Sequence, residues 1–193
     1  MHPLQRQLYK DHYHFQRLLY CLQKEINCYD ADTEESPNLP VILDALDYVQ
    51  TYPERWHHPI EDVIFNCLLE KDITERAAIE SLLAEHKELE HLTKRACQLF
   101  TAVANDCVVP IDELTDVARQ FILRQSAHLD RENELVYPLM NQYLSQDDWD
   151  RIAQSLEQIA DPLFDKPLQA DYENLYQSIV EMENDPLVSV NAR

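Results

Sequence analysis

Apolar residues recur along this chain in alternating steps of four and three. From about Leu4 to Tyr29 the repeating positions are Leu8, His12, Phe15, Leu19, Leu22 and Ile26. Residues so spaced share one face of an α-helix. The polar cluster from Asp30 to Pro40 reads as a loop. A second segment, about Val41 to Glu70, repeats Leu46, Val49, Pro53, His57, Ile60, Glu61, Ile64 and Leu68. Pro53 and Pro59 lie inside it, and interior proline removes a helix hydrogen bond, so a bend or break is expected near Pro53. A third segment, about Asp72 to Asn105, carries Ile79, Leu82, His86, Leu89, Thr93, Cys97 and Phe100, with Thr74 as a cap near its start. The fourth starts after Pro110 with Asp112 as its N-cap and runs to about Leu144 through Leu114, Val117, Phe121, Arg124, His128, Glu132, Leu135 and Leu139.

Four long amphipathic helices joined by short or moderate connections predict an all-α fold, an antiparallel up-down four-helix bundle over residues 1–145. Residues 146–193 hold two weaker patterns, Trp149 to Ile159 and Ala170 to Met182, punctuated by Asp161-Pro162 and Lys166-Pro167. They predict a C-terminal helical extension that covers the bundle, packs on a partner or forms a homodimer interface. No period of 20–50 residues recurs, which excludes a solenoid.

Composition sharpens this picture. The 193 residues include no glycine, which argues against hairpins, Rossmann loops and P-loops. With 16 basic against 36 acidic residues, the formal net charge is -20. Such a surface repels phosphate backbones and anionic headgroups, so neither nucleic acid nor a membrane is an expected partner. The five cysteines form no C-x-x-C pair, which fits reduced thiols in a cytoplasmic protein. The N-terminus shows no apolar signal region, and no apolar run is long enough to span a bilayer.

The chemistry lies in two short stretches, His57-His58-Pro59-Ile60-Glu61 and His128-Leu129-Asp130-Arg131-Glu132. Each sets a histidine one helical turn before a glutamate, so imidazole nitrogen and carboxylate oxygen can converge on one point. His12 and His86 bring further imidazoles to the apolar stripes of the other two helices. A buried glutamate without a partner is costly, and two of them beside histidines call for compensation that a metal pair supplies. These donors suit iron, manganese and zinc alike.

Together the segments Lys10-Asp11-His12-Tyr13-His14-Phe15, His57 through Phe65, Glu85-His86-Lys87-Glu88-Leu89 and His128 through Tyr137-Pro138 resemble the hemerythrin-like (HHE cation-binding) family over about residues 4–144. The resemblance implies a four-helix bundle holding a non-haem diiron centre. In it Glu61 and Glu132 would bridge two iron ions, with His12, His57, His86 and His128 as terminal ligands. The oxygen-carrying pattern has five histidines, with a His-x3-His pair on the third helix; here the position four after His86 is Glu90. His91 follows, but five residues turn a helix by about 500° and rotate it away. Three ways of completing the set stay open: Glu90 ligates, His58 or His91 swings in, or water fills the position.

Nearby side chains have plainer readings. His14 lies about 200° around the helix from His12 and reads as solvent-facing or as support behind the ligands, and His58, about 100° from His57, likewise. Tyr9, Tyr13, Tyr48, Tyr52 and Tyr137 could donate to a metal-bound oxygen but read first as core residues with satisfied hydroxyls, Trp56 reads as packing, and His2 as part of a mobile terminus.

The expected function is a dimetal protein that binds or senses a diatomic ligand, peroxide or iron. The alternative is a helical protein-interaction module with structural histidines and no metal. Nucleophilic catalysis has no support, since there is no G-x-S-x-G elbow and no evident Cys-His pair. An enzymatic role in peroxide or nitric oxide handling stays open, whereas iron donation to cluster repair is disfavoured because no cysteine-bearing segment precedes the first helix.

Overall fold

The computed structural model describes residues 1–30, 36–156, 161–165 and 172–184. All regular structure among them is helical. The α-helices are α1 (Pro3–Asn27), α2 (Leu39–Thr51), α3 (His58–Leu69), α4 (Arg76–Ala104), α5 (Ile111–Arg131), α6 (Tyr137–Tyr143), α7 (Gln146–Ser155) and α8 (Glu173–Glu183). Two π-helical turns complete the set, Pro53–His57 between α2 and α3 and Glu132–Val136 between α5 and α6. No helix among the described residues is long and apolar enough to cross a membrane.

The predicted second and fourth helices are thus each two α-helices joined through a wide turn. The break expected near Pro53 is this π-turn. Pro59 and Pro138 cannot donate a backbone N–H to the fourth carbonyl before them. Each π-turn ends two residues ahead of such a proline, at His57 and Val136. The i→i+5 pattern is visible where His57 N–H bonds Tyr52 O. Inserting a residue in this way re-aims whatever follows on the helix. Hence Leu135, predicted to face inward, is only partly buried, while Val136 and Tyr137 are fully buried.

α1 packs against α5 and α2, α4 against α2, α3 and α5, and α3 against α6. The large residues sealed between them include Leu8, Ile26, Ile42, Tyr48, Tyr52, Phe65, Phe100 and Phe121. Arg124 is exposed, and Gln125 takes the inward position on α5. Tyr13, expected in the core, is 59% exposed.

Capping differs from expectation in two places. Glu75, not Thr74, precedes α4, and α5 starts after Pro110, leaving Asp112 in its first turn, where its charge suits the helix dipole. His2 is no loose terminus: its Nδ1 accepts the Leu4 N–H at the start of α1, and its ring stacks on Trp149. At the end of α4 the Cys107 N–H bonds Ala102 O and the Asp106 N–H bonds Val103 O, closing a Schellman turn. That motif needs a left-handed residue, and in a chain without glycine Asp106 takes it, with φ 59°. No disulfide forms among the described cysteines, and Cys21 and Cys67 are buried.

The later helices lie on the earlier ones. α7 starts at a capping box, Ser145 with Asp148, and packs on α3, with Lys71 Nζ 2.7 Å from Asp148 Oδ2. α8 packs on α1 and α2 through Leu175, Ile179 and Met182, and Arg17 pairs with Glu183. The expected helix end at Ile159, the Lys166-Pro167 break, the helix start at Ala170 and residues 31–35 of the first loop lie outside the described residues.

Candidate metal centre

His12 comes from the middle of α1, His57 from the end of the first π-turn, Glu61 from the first turn of α3, His86 from α4, His128 from α5 and Glu132 from the start of the second π-turn. All six are buried, and Glu61, Glu132 and His57 are inaccessible to solvent. The structure brings all six together. Both i,i+4 pairs close as the helical spacing predicts, with His57 Nε2 3.4 Å from Glu61 Oε1 and His128 Nε2 3.1 Å from Glu132 Oε1. Contacts across helices complete the ring. His12 Nε2 lies 3.3 Å from Glu61 Oε1 and 3.4 Å from Glu132 Oε2, and His86 Nε2 lies 3.3 Å from Glu132 Oε1 and 3.7 Å from Glu61 Oε2.

The donors fall into two groups that share Glu61. One is His12, His57 and Glu61; the other is His58, Glu61, His86 and His128. Within each, the ligand-type atoms all lie within 4.8 Å of one another. His58 is therefore no surface residue. It is buried, stacked on His86 with ring centroids 4.4 Å apart, and edge-on to His128 at 5.8 Å. It precedes Glu61 by three residues in α3, and that i,i+3 spacing sets the two on one face. Glu90 and His91 do not join the cluster. Both are exposed on α4, and His91 Nδ1 donates to Lys87 O.

An outer layer fixes how four of the rings face. His57 Nδ1 donates to Asp11 Oδ2 at 3.1 Å, His12 Nδ1 to Asn133 Oδ1 at 3.0 Å, His86 Nδ1 to Asp62 Oδ1 at 2.7 Å and His128 Nδ1 to Glu85 Oε2 at 3.3 Å. A ring that spends its Nδ1 proton outward presents an Nε2 lone pair inward, which is the arrangement that orients metal-binding histidines. Glu85 is itself paired with Arg131.

Four inward lone pairs and two carboxylates cannot share a dry pocket without positive charge between them. Glu61 Oε2, Glu132 Oε2 and His128 Nε2 are buried without a hydrogen-bond partner, although His128 Nε2 lies close to Glu132. Protons can fill part of the need. Burial alone would lower the pKa of His12, but Glu132 and Glu61 outweigh it and raise it to about 9. Burial is likewise overcome at His57 by Glu61 and Asp11, and at His86 by Asp62 and Glu132, each reaching about 10. Burial and mutual repulsion push the Glu61 carboxyl up, but His57 and His12 pull it below the usual range. Glu132 is held low by His128, His12 and His86 against its burial. Burial and the neighbouring His86 keep His58 well below its ordinary value, so it stays a neutral donor. The alternative source of charge is a pair of cations, and the nitrogen and carboxylate donors fit them.

Tyr137 is the buried core residue that the sequence suggested, and its hydroxyl is satisfied within the centre itself. It donates to Glu61 Oε1 at 2.7 Å and lies 2.8 Å from His12 Nε2. Burial, with Glu61 next, raises its pKa well above the ordinary phenol value, so it remains a proton donor. Tyr137 follows Glu132 by five residues, the repeat of a π-turn, which brings the two to one face. His14 is also buried rather than solvent-facing, its Nδ1 3.1 Å from Asp161 Oδ2. Trp56 packs as expected, stacked on Tyr52 at 5.3 Å.

The model of the Hemerythrin HHE cation binding domain matches residues 4–140. No curated protein and no solved structure matches the chain. The matched span contains every member of the histidine and glutamate cluster, and the chain belongs to the Hemerythrin HHE cation-binding domain family.

Proposed function

We propose that residues 1–145 form an antiparallel up-down four-helix bundle, its second and fourth rods being α2–α3 and α5–α6, which holds two iron ions at its centre, with residues 146–193 as an extension packed on it. His12 and His57 would serve one ion and His58, His86 and His128 the other, with Glu61 and Glu132 bridging. His58 then takes the place that the third helix leaves vacant in having Glu90 where a histidine would stand. Manganese or zinc would suit the same donors.

The observation that carries this reading is the set of outward Nδ1 hydrogen bonds, which leaves four Nε2 lone pairs aimed at two buried carboxylates with orphaned oxygens. When bound, an iron pair would supply reversible electron transfer and affinity for a diatomic ligand or peroxide. The chain's own residues do the rest. The outer acceptors hold ring orientation, the apolar layer around Phe15, Phe65 and Leu129 excludes water, and the Tyr137 hydroxyl presents a proton beside Glu61. We therefore read the protein as a dimetal protein that binds or senses a diatomic ligand, peroxide or iron.

Metal analysis of tag-free protein after anaerobic iron loading tests this. About two iron ions per chain are expected, with optical bands that change on adding nitric oxide or peroxide. No bound metal after loading would leave a helical interaction module with structural histidines.

A further inference from the structure

At the Nδ1 edge of His57 lies a second buried polar cluster, formed by Asp11, His14, Tyr48, Tyr52 and Asp161. Asp11 and Asp161 are both inaccessible to solvent, and ligand-type atoms of Asp11, His14 and Asp161 lie within 4.8 Å of one another. Two dry carboxylates so close need donors or a cation. Accounting for each oxygen decides between these. Asp11 Oδ1 accepts from the Tyr52 hydroxyl at 3.3 Å and Gln7 Nε2 at 2.8 Å, and Asp11 Oδ2 accepts from His57 Nδ1 at 3.1 Å. Asp161 Oδ1 accepts from the Tyr48 hydroxyl at 3.2 Å and from the backbone N–H of Leu163 at 2.9 Å and of Phe164 at 3.1 Å; Asp161 Oδ2 accepts from His14 Nδ1 at 3.1 Å. Every oxygen has a protein donor, so the cluster is a clasp and not an ion site.

Asp161 reaches this clasp from the C-terminal region, beyond residue 140 where the family match ends. Its turn is pinned over α1. Phe164 stacks on His14 with centroids 3.9 Å apart, the Arg17 guanidinium lies 4.9 Å over the Phe164 ring, and Lys10 pairs with Asp165.

We propose that Asp161 is a positioning residue for the candidate metal centre, with which the C-terminal segment fixes Asp11 and thereby the Nδ1–H of His57. The inference rests on reading His57 as a ligand. Asp161 acts along two arms. Tyr48, bonded to Asp161, stacks at 5.9 Å on Tyr52, which donates to Asp11. His14, bonded to Asp161, fills the space between the two acids. Together they hold Asp11 in the one orientation that accepts the His57 proton, and they keep water from that bond.

The test uses full-length, metal-free protein labelled with 15N-histidine, in which the His57 Nδ1 proton and its exchange with water are followed by NMR. In Asp161→Asn that proton should exchange at least about tenfold faster, because a charge-assisted hydrogen-bond network is lost. Tyr48→Phe, which keeps the aromatic packing, should act in the same direction. Glu183→Ala frees α8 from Arg17 while leaving Arg17 on Phe164 and the clasp in place, and should leave the His57 signal unchanged. Unchanged exchange in Asp161→Asn overturns the proposal; should that variant not fold, unchanged exchange in Tyr48→Phe does so. An equal change in Glu183→Ala also overturns it, since general loosening would then explain the effect. No metal is present in the experiment, so its failure is distinct from a failure of the dimetal reading.

Discussion

The Nε2 atoms of His12 and His57 face each other across 3.1 Å. Each ring has its Nδ1 held by an oxygen acceptor, so nothing but a proton or a cation can lie between them. With pKa values of about 9 for His12 and about 10 for His57 and His86, these sites carry protons at neutral pH in the metal-free protein. Metal must displace those protons, so metal affinity should climb as pH rises from 7 towards 10. The gain is up to about tenfold per pH unit for each proton released. Calorimetric titration with zinc in buffers of different ionisation heats reads the proton count directly. An affinity independent of pH over this range would contradict the arrangement.

The same shifts set the stability of the metal-free fold. A group whose folded pKa is raised stabilises the fold below its unfolded value and loses that contribution as pH rises through the folded value. For His12, His57 and His86 the loss runs from about pH 6.5 to about 10. Glu61 and Glu132, shifted down, contribute above the ordinary carboxylate value and lose this only in strong acid. Urea midpoints of metal-free protein should therefore fall steadily between pH 6.5 and 10. Metal loading should flatten or reverse that slope, adding about 4 kcal/mol at a thousandfold excess over the dissociation constant.

His58 and Glu90 were rival candidates for completing the site, and the structure separates them. His58→Leu removes a buried neutral donor in the group with His86 and His128, and should weaken one of the two ions by more than about tenfold. Glu90→Gln changes an exposed side chain and should leave both bound. Glu61→Gln alters the residue common to both groups and should deplete both ions. Metal stoichiometry of the three variants, measured side by side, checks this ordering.

Asp106 holds φ 59° at the end of α4, a conformation that costs a residue with a side chain roughly 1 kcal/mol. Asp106→Gly should raise unfolding stability by up to about 1 kcal/mol while leaving metal content untouched. A loss of stability on this substitution would mean that the aspartate side chain contributes more than the turn geometry indicates.

The all-helical architecture and the six side chains that meet at the centre of the fold were legible because period and chemistry agree. His57 with Glu61 and His128 with Glu132 are one α-helical turn apart, and burying a glutamate on an apolar stripe is hard to explain otherwise. What escaped was whatever depends on departure from that period. Val136 turned inward in place of Leu135 because a π-turn intervenes, and counting in steps of three and four cannot show that. His58 was set aside by its angle from His57 alone, although it stands three residues before Glu61 and so shares that face. The prolines at positions 53, 59 and 138 were the available signal, and only Pro53 was read as a break. Asp11, His14 and Asp161 were hidden for another reason. Their burial depends on contact between segments about 150 residues apart, which no local pattern reports.

The widened turn at Glu132–Val136 sets local regularity against reach. Deleting one residue there would rewind the widened turn into an ordinary coil. It would also swing the Tyr137 ring by about 100° away from Glu61, leaving that acid without its phenol. A shorter, tidier rod would fold well and be chemically blunted, so chain length at this one point is as much a part of the centre as any donor atom.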